Sequence, residues 1–330
     1  MIAGRRAFAL VGGGVLFTGC KDVQSSLAPR GPGAAQIAEL SWVLFAVAAS
    51  VLLIVLVVCW VAVRGSDAAR ARVAGTGAVI AGGIAFPVLT LTALLGYGVW
   101  LTRASVLSAG GANVTRIEVV GEQWWWRVRY VGPDGQAVAS ANEIRMPAGT
   151  LVEFVLTSPD VIHSFWVPNL GGKVDMIPGR TTQLRVQADS PGVFRGQCAE
   201  YCGGPHALMA LEVVAMRADE FDAWLASQSG PAAAAQSAAA ERGKALFLAA
   251  GCGGCHAVRG TEAAGVLGPD LTHIGSRRSI GVDTLPMTQA NLARFIVNGQ
   301  HVKPGNRMPP FRIFAEAELD ALTTYLAELR

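Results

Sequence analysis

Two uninterrupted apolar stretches constrain the fold of this chain more than any other feature. Residues 37–63 carry a single charged side chain, Glu39, and residues 73–102 carry none. Each stretch exceeds the roughly 20 apolar residues that an α-helix needs to cross a bilayer. The sequence therefore predicts two transmembrane helices. Its composition agrees, with 52% hydrophobic and only 15% charged residues in a chain of 330.

The charges around these stretches predict their orientation. Residues 64–72 carry three Arg and one Asp, and positive charge favours the cytoplasmic side, so this loop is predicted to be cytoplasmic and both chain ends to be outside. Residues 1–19 have the order of a secretory signal peptide. Together with Cys20, they resemble a bacterial lipoprotein signal, which implies lipidation of Cys20; ordinary cleavage and an uncleaved anchor are the alternatives. Residues 20–36 are then a periplasmic tether. The net charge of +3 does not indicate nucleic-acid binding.

The middle of the chain has the pattern of a β-sandwich. Short alternating or β-branched runs separated by turns are typical of antiparallel strands, and they occur at residues 115–120, 124–131, 151–156, 182–186 and 211–216. A short helix over residues 218–228 is predicted to close this domain, which we assign to residues 103–228.

A cluster of soft metal ligands lies late in that domain. Residues 198–209 read Cys-Ala-Glu-Tyr-Cys-Gly-Gly-Pro-His-Ala-Leu-Met. Thiolate, thioether and imidazole together favour copper, and His163 is the obvious second imidazole. Two Cys, two His and one Met exceed the ligands of one blue-copper ion, so the surplus thiolate favours two coppers sharing both sulfurs. A Cys198–Cys202 disulfide and a structural zinc site are the alternatives.

Residues 241–330 contain a second metal-binding motif. Cys252-Gly-Gly-Cys255-His256 is the attachment sequence of c-type haem, with His256 as the axial ligand. A redox dithiol and half of a zinc site are the alternatives for the same spacing. Met308 is the preferred sixth ligand and Met287 its competitor, because Met308-Pro-Pro-Phe resembles the sixth-ligand motif of class I cytochromes c. The Ala-rich residues 229–240 are predicted to be a linker.

The remaining His and Arg residues of this part have weaker signals. His273 and His301 are predicted to be surface residues rather than ligands. Arg277 and Arg278 are candidates for pairing with haem propionates.

The string from Cys198 to Met209 closely resembles the CuA signature of cytochrome c oxidase subunit II, Cys-x-Glu-x-Cys-x3-His-x2-Met. The resemblance implies that Cys198 and Cys202 bridge two coppers and that His163 and His206 cap one each. It also implies that Met209 is a weak ligand and that Glu200 contributes its backbone carbonyl. In the family the side chain of this Glu helps bind magnesium at the contact with subunit I.

Three consecutive tryptophans, Trp124–Trp126, follow Gln123. Alternate side chains of a strand point to opposite faces, so the three cannot all enter one core. The run is similar to the Gln-Trp-aromatic-Trp run of subunit II proteins, whose first Trp receives electrons on the way to copper, and this implies that role for Trp124. Glu122 stands where the family commonly has His.

The order of anchor, CuA cupredoxin and class I cytochrome c domain resembles subunit II of caa-type haem-copper oxidases. The resemblance implies an all-β cupredoxin sandwich and an all-α cytochrome domain on the periplasmic face of a bacterial plasma membrane. It implies that electrons pass from cytochrome c, or from a quinol-cytochrome c reductase complex, through the fused haem and CuA to subunit I. Oxygen is reduced there, with proton translocation, and subunit III is a further partner. Many relatives carry a carboxylate in the second span, and residues 73–102 have none.

Two other functions are compatible with parts of the pattern. A membrane-tethered copper and haem electron carrier would work without an oxidase partner. A CuA reductase of nitrogen oxides is disfavoured, because such an enzyme needs a second catalytic metal site for which this sequence has no motif.

Overall fold

The structure, a computed structural model, describes residues 24–108, 114–132 and 137–330. The predicted signal peptide, residues 1–19, and the predicted lipidation site Cys20 lie outside the described residues.

Two helices are long and apolar enough to cross a membrane, Pro32–Arg64 and Thr76–Arg103. The first, α1, begins with Pro32 at its first turn and ends before Gly65. The loop predicted over residues 64–72 contains a short helix, α2 (Asp67–Ala74), because the Ser66 side chain caps its first turn. The second span consists of α3 (Thr76–Ile80), a π-helical turn (Ala81–Ala85) and α4 (Phe86–Ser108).

The segment that precedes α1 is bonded to the sandwich. The Arg30 amide donates to the Asn169 carbonyl at 2.8 Å, and the Asp189 amide donates to the Arg30 carbonyl at 2.8 Å. A Cβ at Gly31 would lie 2.0 Å from the Gln187 carbonyl oxygen, so only glycine permits this approach. The membrane helices therefore start from a fixed point on the β-domain.

The β-domain is a sandwich of two five-stranded sheets, which confirms the predicted cupredoxin-like fold class. The strands are β1 (Thr115–Glu122), β2 (Trp125–Val131), β3 (Ala137–Ala141), β4 (Glu143–Pro147), β5 (Val152–Thr157), β6 (His163–Trp166), β7 (Val174–Met176), β8 (Thr182–Val186), β9 (Gly192–Cys198) and β10 (Ala210–Met216). One sheet has the order β3-β2-β1-β5-β8 and the other β4-β10-β9-β6-β7. The pairs β1–β5 and β4–β10 are parallel, whereas the sequence predicted an antiparallel sandwich.

Strand β2 shows how the sandwich core forms. Trp126, Val128 and Tyr130 alternate with polar neighbours and are buried between the sheets. The Trp126 indole N–H donates to the Ala210 carbonyl at 3.0 Å, which satisfies the one polar atom of this buried ring. Trp125 faces the other way and stacks under the Arg127 guanidinium at 4.6 Å. Trp125 and Trp126 thus lie on opposite faces of β2, as the strand period predicts, whereas Trp124 lies in the turn before the strand.

The C-terminal part of the chain is a small helical domain, also as predicted. Helix α5 (Ala218–Ser229) closes the sandwich, and α6 (Ala238–Ala249), α7 (Gln289–Val302) and α8 (Glu316–Glu328) build the second domain around a separate apolar core. Helices α6 and α8 approach closely at Gly243, where a Cβ would lie 2.0 Å from the Ala321 carbonyl oxygen. A two-residue pair, β11 (Ser279–Ile280) with β12 (Leu285–Pro286), and an isolated bridge between Ala257 and Ala264 add to the all-α expectation.

The two domains are packed against each other. Arg278 pairs with Glu212 of β10 at 3.2 Å, and Arg195 of β9 pairs with Asp283 at 3.1 Å. Between these ion pairs, Val282 is buried in the core of the sandwich. The helical domain therefore packs against the sheet that contains β9 and β10, and the linker alone does not determine its position.

Candidate metal centres

The predicted copper ligands come together at one end of the sandwich. Cys198 is the last residue of β9, and His163 is the first residue of the neighbouring strand β6. The loop beyond Cys198 passes through the 3-10 turn His206–Leu208 and returns, so that the Cys198 amide donates to the Met209 carbonyl at 2.8 Å. Local hydrogen bonding thus closes the loop on itself and directs its donor atoms inward.

The donor atoms lie at the separations expected for ligands of common metal ions. The Cys198 sulfur lies 3.8 Å from the Cys202 sulfur and 3.8 Å from His163 Nδ1. The Cys202 sulfur lies 3.5 Å from His206 Nδ1 and 3.8 Å from the Met209 sulfur. Two ligands at typical metal–sulfur and metal–nitrogen bond lengths and a tetrahedral angle are about 3.5–3.8 Å apart. The Glu200 carbonyl oxygen, 3.2 Å from the Cys198 sulfur, adds a sixth donor.

This geometry bears on the alternatives. A disulfide requires its sulfurs to be about 2.05 Å apart, whereas Cys198 and Cys202 are both free. A structural zinc ion takes four ligands, fewer than the five side-chain donors assembled here. Cys198, Cys202 and Met209 are buried, in accord with soft ligands that exclude water.

Asp160 fixes the orientation of the His163 ring, and the sequence reasoning missed it. His163 Nε2 lies 2.9 Å from Asp160 Oδ1, so the ring N–H donates to the carboxylate and Nδ1 faces the Cys198 sulfur. The backbone amides of Gln123 and Val161 also donate to this carboxylate, each at 2.7 Å. Such partners fix the tautomer of a metal-binding histidine. An Asp three residues before a ligand His was the available signal.

The electrostatics of the site follow from these contacts. Burial raises the pKa of Asp160, but the bonds from His163 and the amides of Gln123 and Val161 outweigh it and leave this pKa lowered. Burial likewise opposes charge on His163, yet its bonds to Cys198 and Asp160 raise its pKa. The hydrogen bond from the Cys202 thiol lowers the pKa of Cys198 despite burial. The site therefore favours a thiolate at Cys198, which is the metal-binding form.

Trp124 lies beside residues 198–209, the segment of candidate copper ligands that we term the copper loop. Its indole N–H donates to the Cys202 carbonyl at 2.9 Å, and the Gln123 side chain donates to the same oxygen at 2.8 Å. A Cβ at Gly203 would lie 3.0 Å from the Trp124 ring, so the ring rests directly on the backbone of the loop. Trp124 is thus in direct contact with the backbone of Cys202 and Gly203.

The predicted haem-attachment motif follows helix α6 of the helical domain. Cys252 begins a 3-10 turn, Cys252–Gly254, and Cys252 and Cys255 are free. His256 Nδ1 donates to the Pro269 carbonyl at 2.7 Å, which leaves Nε2 as the nitrogen available to a metal ion. Burial lowers the pKa of His256 and so favours the neutral, ligating form. Two free thiols followed by a histidine with one committed nitrogen fit a covalently bound haem.

Met308 and Met287 both pack against the core of the helical domain, so burial does not separate them. The Met308 amide donates to Asn306 Oδ1 at 3.0 Å, which shapes the loop that carries it. His273 was predicted to be a surface residue, and this prediction is wrong: the residue is buried because its neighbours Leu271 and Ile274 belong to the core of the helical domain. The same prediction holds for His301, which is exposed.

The two arginines proposed for haem propionates have other partners in the structure. Arg278 bonds to the β-domain, where Glu212 lies 3.2 Å away and the Glu143 carboxylate accepts its backbone N–H at 2.8 Å. Arg277 donates to the Asp270 carbonyl.

Two lysines near the copper loop were also missed. Lys173 lies 3.5 Å from the Glu200 carboxylate and 2.9 Å from Asp175, so the residue predicted to bind magnesium has a cation beside it. Lys303 is buried, and burial lowers its pKa to about 7 although Cys202 opposes this shift. A lysine in a polar loop gives no sequence signal of burial, because the surface that covers it belongs to another domain.

Comparison with known proteins agrees with this geometry. The periplasmic-domain family of cytochrome c oxidase subunit II matches residues 133–216, and the cytochrome c family matches residues 240–330. The chain belongs to the cytochrome c oxidase subunit II family. It joins a subunit II periplasmic domain to a cytochrome c domain. These domains imply copper and haem, and with the two apolar helices they describe a membrane-anchored protein with periplasmic domains.

Individual relatives share about a third or more of their aligned residues with this subunit II chain. Cytochrome c oxidase subunit 2 of Alkalihalophilus pseudofirmus is 40% identical over 220 residues, 67% of this chain and 63% of the relative. Its counterpart in a Bacillus species is 34% identical over 229 residues, 66% of this chain and 63% of the relative. The alignments thus span less than two thirds of either relative.

Among solved structures, the periplasmic domain of cytochrome oxidase subunit II from Bradyrhizobium japonicum is 30% identical, with a TM-score of 0.34. This similarity covers 37% of this chain and 96% of that one.

Proposed function

We propose that this chain accepts electrons from cytochrome c, or from a quinol-cytochrome c reductase complex, and delivers them to subunit I of a terminal oxidase in a bacterial plasma membrane. Subunit I would reduce oxygen to water with proton translocation, and subunit III would belong to the same complex. The observation that carries this proposal is the convergence of five soft donors around Cys198 and Cys202 in a chain that also holds a haem attachment motif.

We assign the candidate ligands to two metal centres, one for copper and one for haem. Two coppers would be held by the side chains and the one carbonyl that converge at the end of the sandwich: His163, Cys198, Glu200, Cys202, His206 and Met209. A haem would be bound covalently by Cys252 and Cys255, with His256 and Met308 as axial ligands. When bound, these groups supply reversible one-electron chemistry, and a Met/His pair raises a cytochrome's potential.

The protein's contribution is to hold these donors rigidly. Asp160 keeps His163 in one orientation, and the bond from Pro269 does the same for His256. Rigid ligands change little between redox states, which favours fast electron transfer. Trp124 would serve as a conduit, since its N–H is bonded to the carbonyl of the ligand Cys202.

Contacts with subunit I would form at the membrane side. The Glu200 carboxylate is partly exposed and would contribute to a shared magnesium site, with Lys173 displaced from it. Within the membrane, Tyr97 donates to the Glu39 carboxylate at 2.8 Å, at the outer end of both spans by the predicted topology. Residues 76–103 of the second span carry no carboxylate, so protons would be taken up through subunit I.

The test is purification of the full chain from membranes of a host that supplies copper and matures c-type haem. We expect two coppers and one covalent haem per chain, a mixed-valence copper signal in electron paramagnetic resonance, and co-purification of a large polytopic subunit. Cys198→Ser should abolish the copper signal and leave the haem intact. One copper ion or a zinc ion per chain would contradict the binuclear site. Full metal content without a partner subunit would favour the tethered carrier.

A further inference from the structure

Lys303 is a buried lysine that joins the two domains. It follows the C-terminus of α7 in the cytochrome domain, and it is 2% exposed. Its ammonium group donates to the Trp124 carbonyl at 2.6 Å and to the Leu208 carbonyl at 3.0 Å. Both acceptors belong to the β-domain. A buried charge is costly unless it is hydrogen-bonded, so these two carbonyls are what make the buried position tolerable.

Lys303 is rigidly connected to Met308. The Lys303 carbonyl accepts from the Asn306 amide at 3.1 Å and from the Asn306 side chain at 2.8 Å. The Asn306 side-chain oxygen in turn accepts from the Met308 amide at 3.0 Å. The segment from Lys303 to Met308, which we term the ligand loop, is therefore one hydrogen-bonded unit. Anchoring Lys303 therefore constrains the loop that carries Met308.

The ligand loop lies directly on the copper loop. Gly305 has a φ of 86°, and a Cβ there would lie 3.3 Å from Pro205 and 3.9 Å from the Trp124 ring. Arg307 donates to the Gln123 side chain at 3.0 Å. Trp124 thus has Gly203 of the copper loop on one side and Gly305 of the cytochrome domain on another. Its indole N–H points to the Cys202 carbonyl.

We propose that Lys303 is a positioning residue that locks the ligand loop onto Trp124, so that Trp124 joins the chain's own cytochrome domain to the copper loop. A separate donor protein then cannot dock on Trp124, and it must deliver electrons to the cytochrome domain instead. The inference deepens the proposed function and rests on it for the direction of electron flow. The docking itself depends only on residues described above.

The first experiment measures docking in the full chain held in lipid nanodiscs, by hydrogen exchange with mass spectrometry. Lys303→Met preserves the length of the side chain and removes its charge and both hydrogen bonds. We expect exchange of residues 203–209 and 303–308 to accelerate about 10-fold or more, because a hydrogen bond from a charged group contributes roughly a factor of 10 to 100. Lys244→Met, on α6, is the matched control and should leave both segments unchanged.

The second experiment measures electron transfer from haem to copper after flash reduction of the haem. In Lys303→Met we expect slower transfer with unchanged metal content and haem absorption, together with faster direct reduction of copper by an added soluble cytochrome c. Unchanged exchange and an unchanged transfer rate would overturn the proposal. Loss of copper or haem from the wild-type chain would instead refute the proposed function, and the exchange measurement would still test docking.

A third measurement needs no variant. Limited acetylation of the wild-type chain should modify Lys303 at least about 10-fold more slowly than Lys173, whose side chain is 44% exposed. Equal rates would show that the ammonium is accessible and would refute the lock, even if Lys303→Met failed to fold.

Discussion

Replacing Asp160 with Asn tests how the copper pocket is built. The carboxylate accepts three N–H groups: from His163 and Val161 on Oδ1, and from Gln123 on Oδ2. An Asn side chain offers one oxygen and one NH2 group in the same space. In one orientation its NH2 group faces the Gln123 amide. In the other it faces His163 and Val161, so at least one donor always loses its acceptor.

The expected magnitude follows from the role of such partners. Loss of the group that orients a metal-binding histidine typically lowers metal affinity by 10- to 100-fold. We expect Asp160→Asn to release copper to a competing chelator at a concentration about 10- to 100-fold lower than the wild type requires. The mixed-valence resonance signal should report occupancy during the titration.

The matched control is Asp219→Asn. Asp219 is an exposed carboxylate on α5 of the same domain, and its partner is Arg217 rather than a ligand. It should retain copper like the wild type. If Asp160→Asn also retained copper at wild-type chelator concentrations, the carboxylate would not be what orients His163, and our account of the pocket would be wrong.

Two further predictions concern the cytochrome domain. Met308→Leu should lower the haem midpoint potential, because a Met/His axial pair raises it; Met287→Leu should leave the potential unchanged in the same redox titration, and the opposite result would exchange the two assignments. Gly243→Ala should destabilise the domain by about 1–3 kcal/mol, since its new methyl group would overlap the Ala321 carbonyl oxygen and force α6 and α8 apart. Thermal denaturation followed at the haem should show this, whereas Ala245→Ser, on the exposed side of α6, should melt like the wild type.

The contacts between the two domains limit the motion that the linker would otherwise allow. Residues 229–240 have the composition of a flexible spacer, which by itself would allow the cytochrome domain to search a large volume. The ion pairs at Glu212 and Asp283 and the buried Lys303 instead hold the domain in one place. A tether raises the effective concentration of the domain, and specific contacts then select a single orientation.

The convergence of the candidate ligands was predictable because its signals are local. Cys198, Cys202, His206 and Met209 lie within twelve residues, and a single folded loop can direct them to one point. The haem motif is also local, and the two membrane helices follow from length and hydrophobicity. In each case, the chemistry depends on residues close together in the chain. Spacing alone was then enough to predict it.

Contacts between distant parts of the chain were not predictable in this way. Two strand pairs are parallel rather than antiparallel, His273 is buried, and Arg278 bonds to the β-domain. None of these outcomes depends on local secondary-structure propensity. Each depends on which distant segments of the chain pack against each other.

The sequence by itself therefore determined the two domain types, the two apolar helices and the cluster of candidate ligands, since periodicity, hydrophobic length and ligand spacing are properties of short segments. Only the tertiary structure decided that Asp160 orients His163, that Trp124 lies between two loops, and that Lys303 bonds to two carbonyls of another domain. The physical reason is that burial and hydrogen bonding are properties of a residue's surroundings in space. Lys303, about 180 residues after Trp124 in the chain, acquires its role only when the two domains meet.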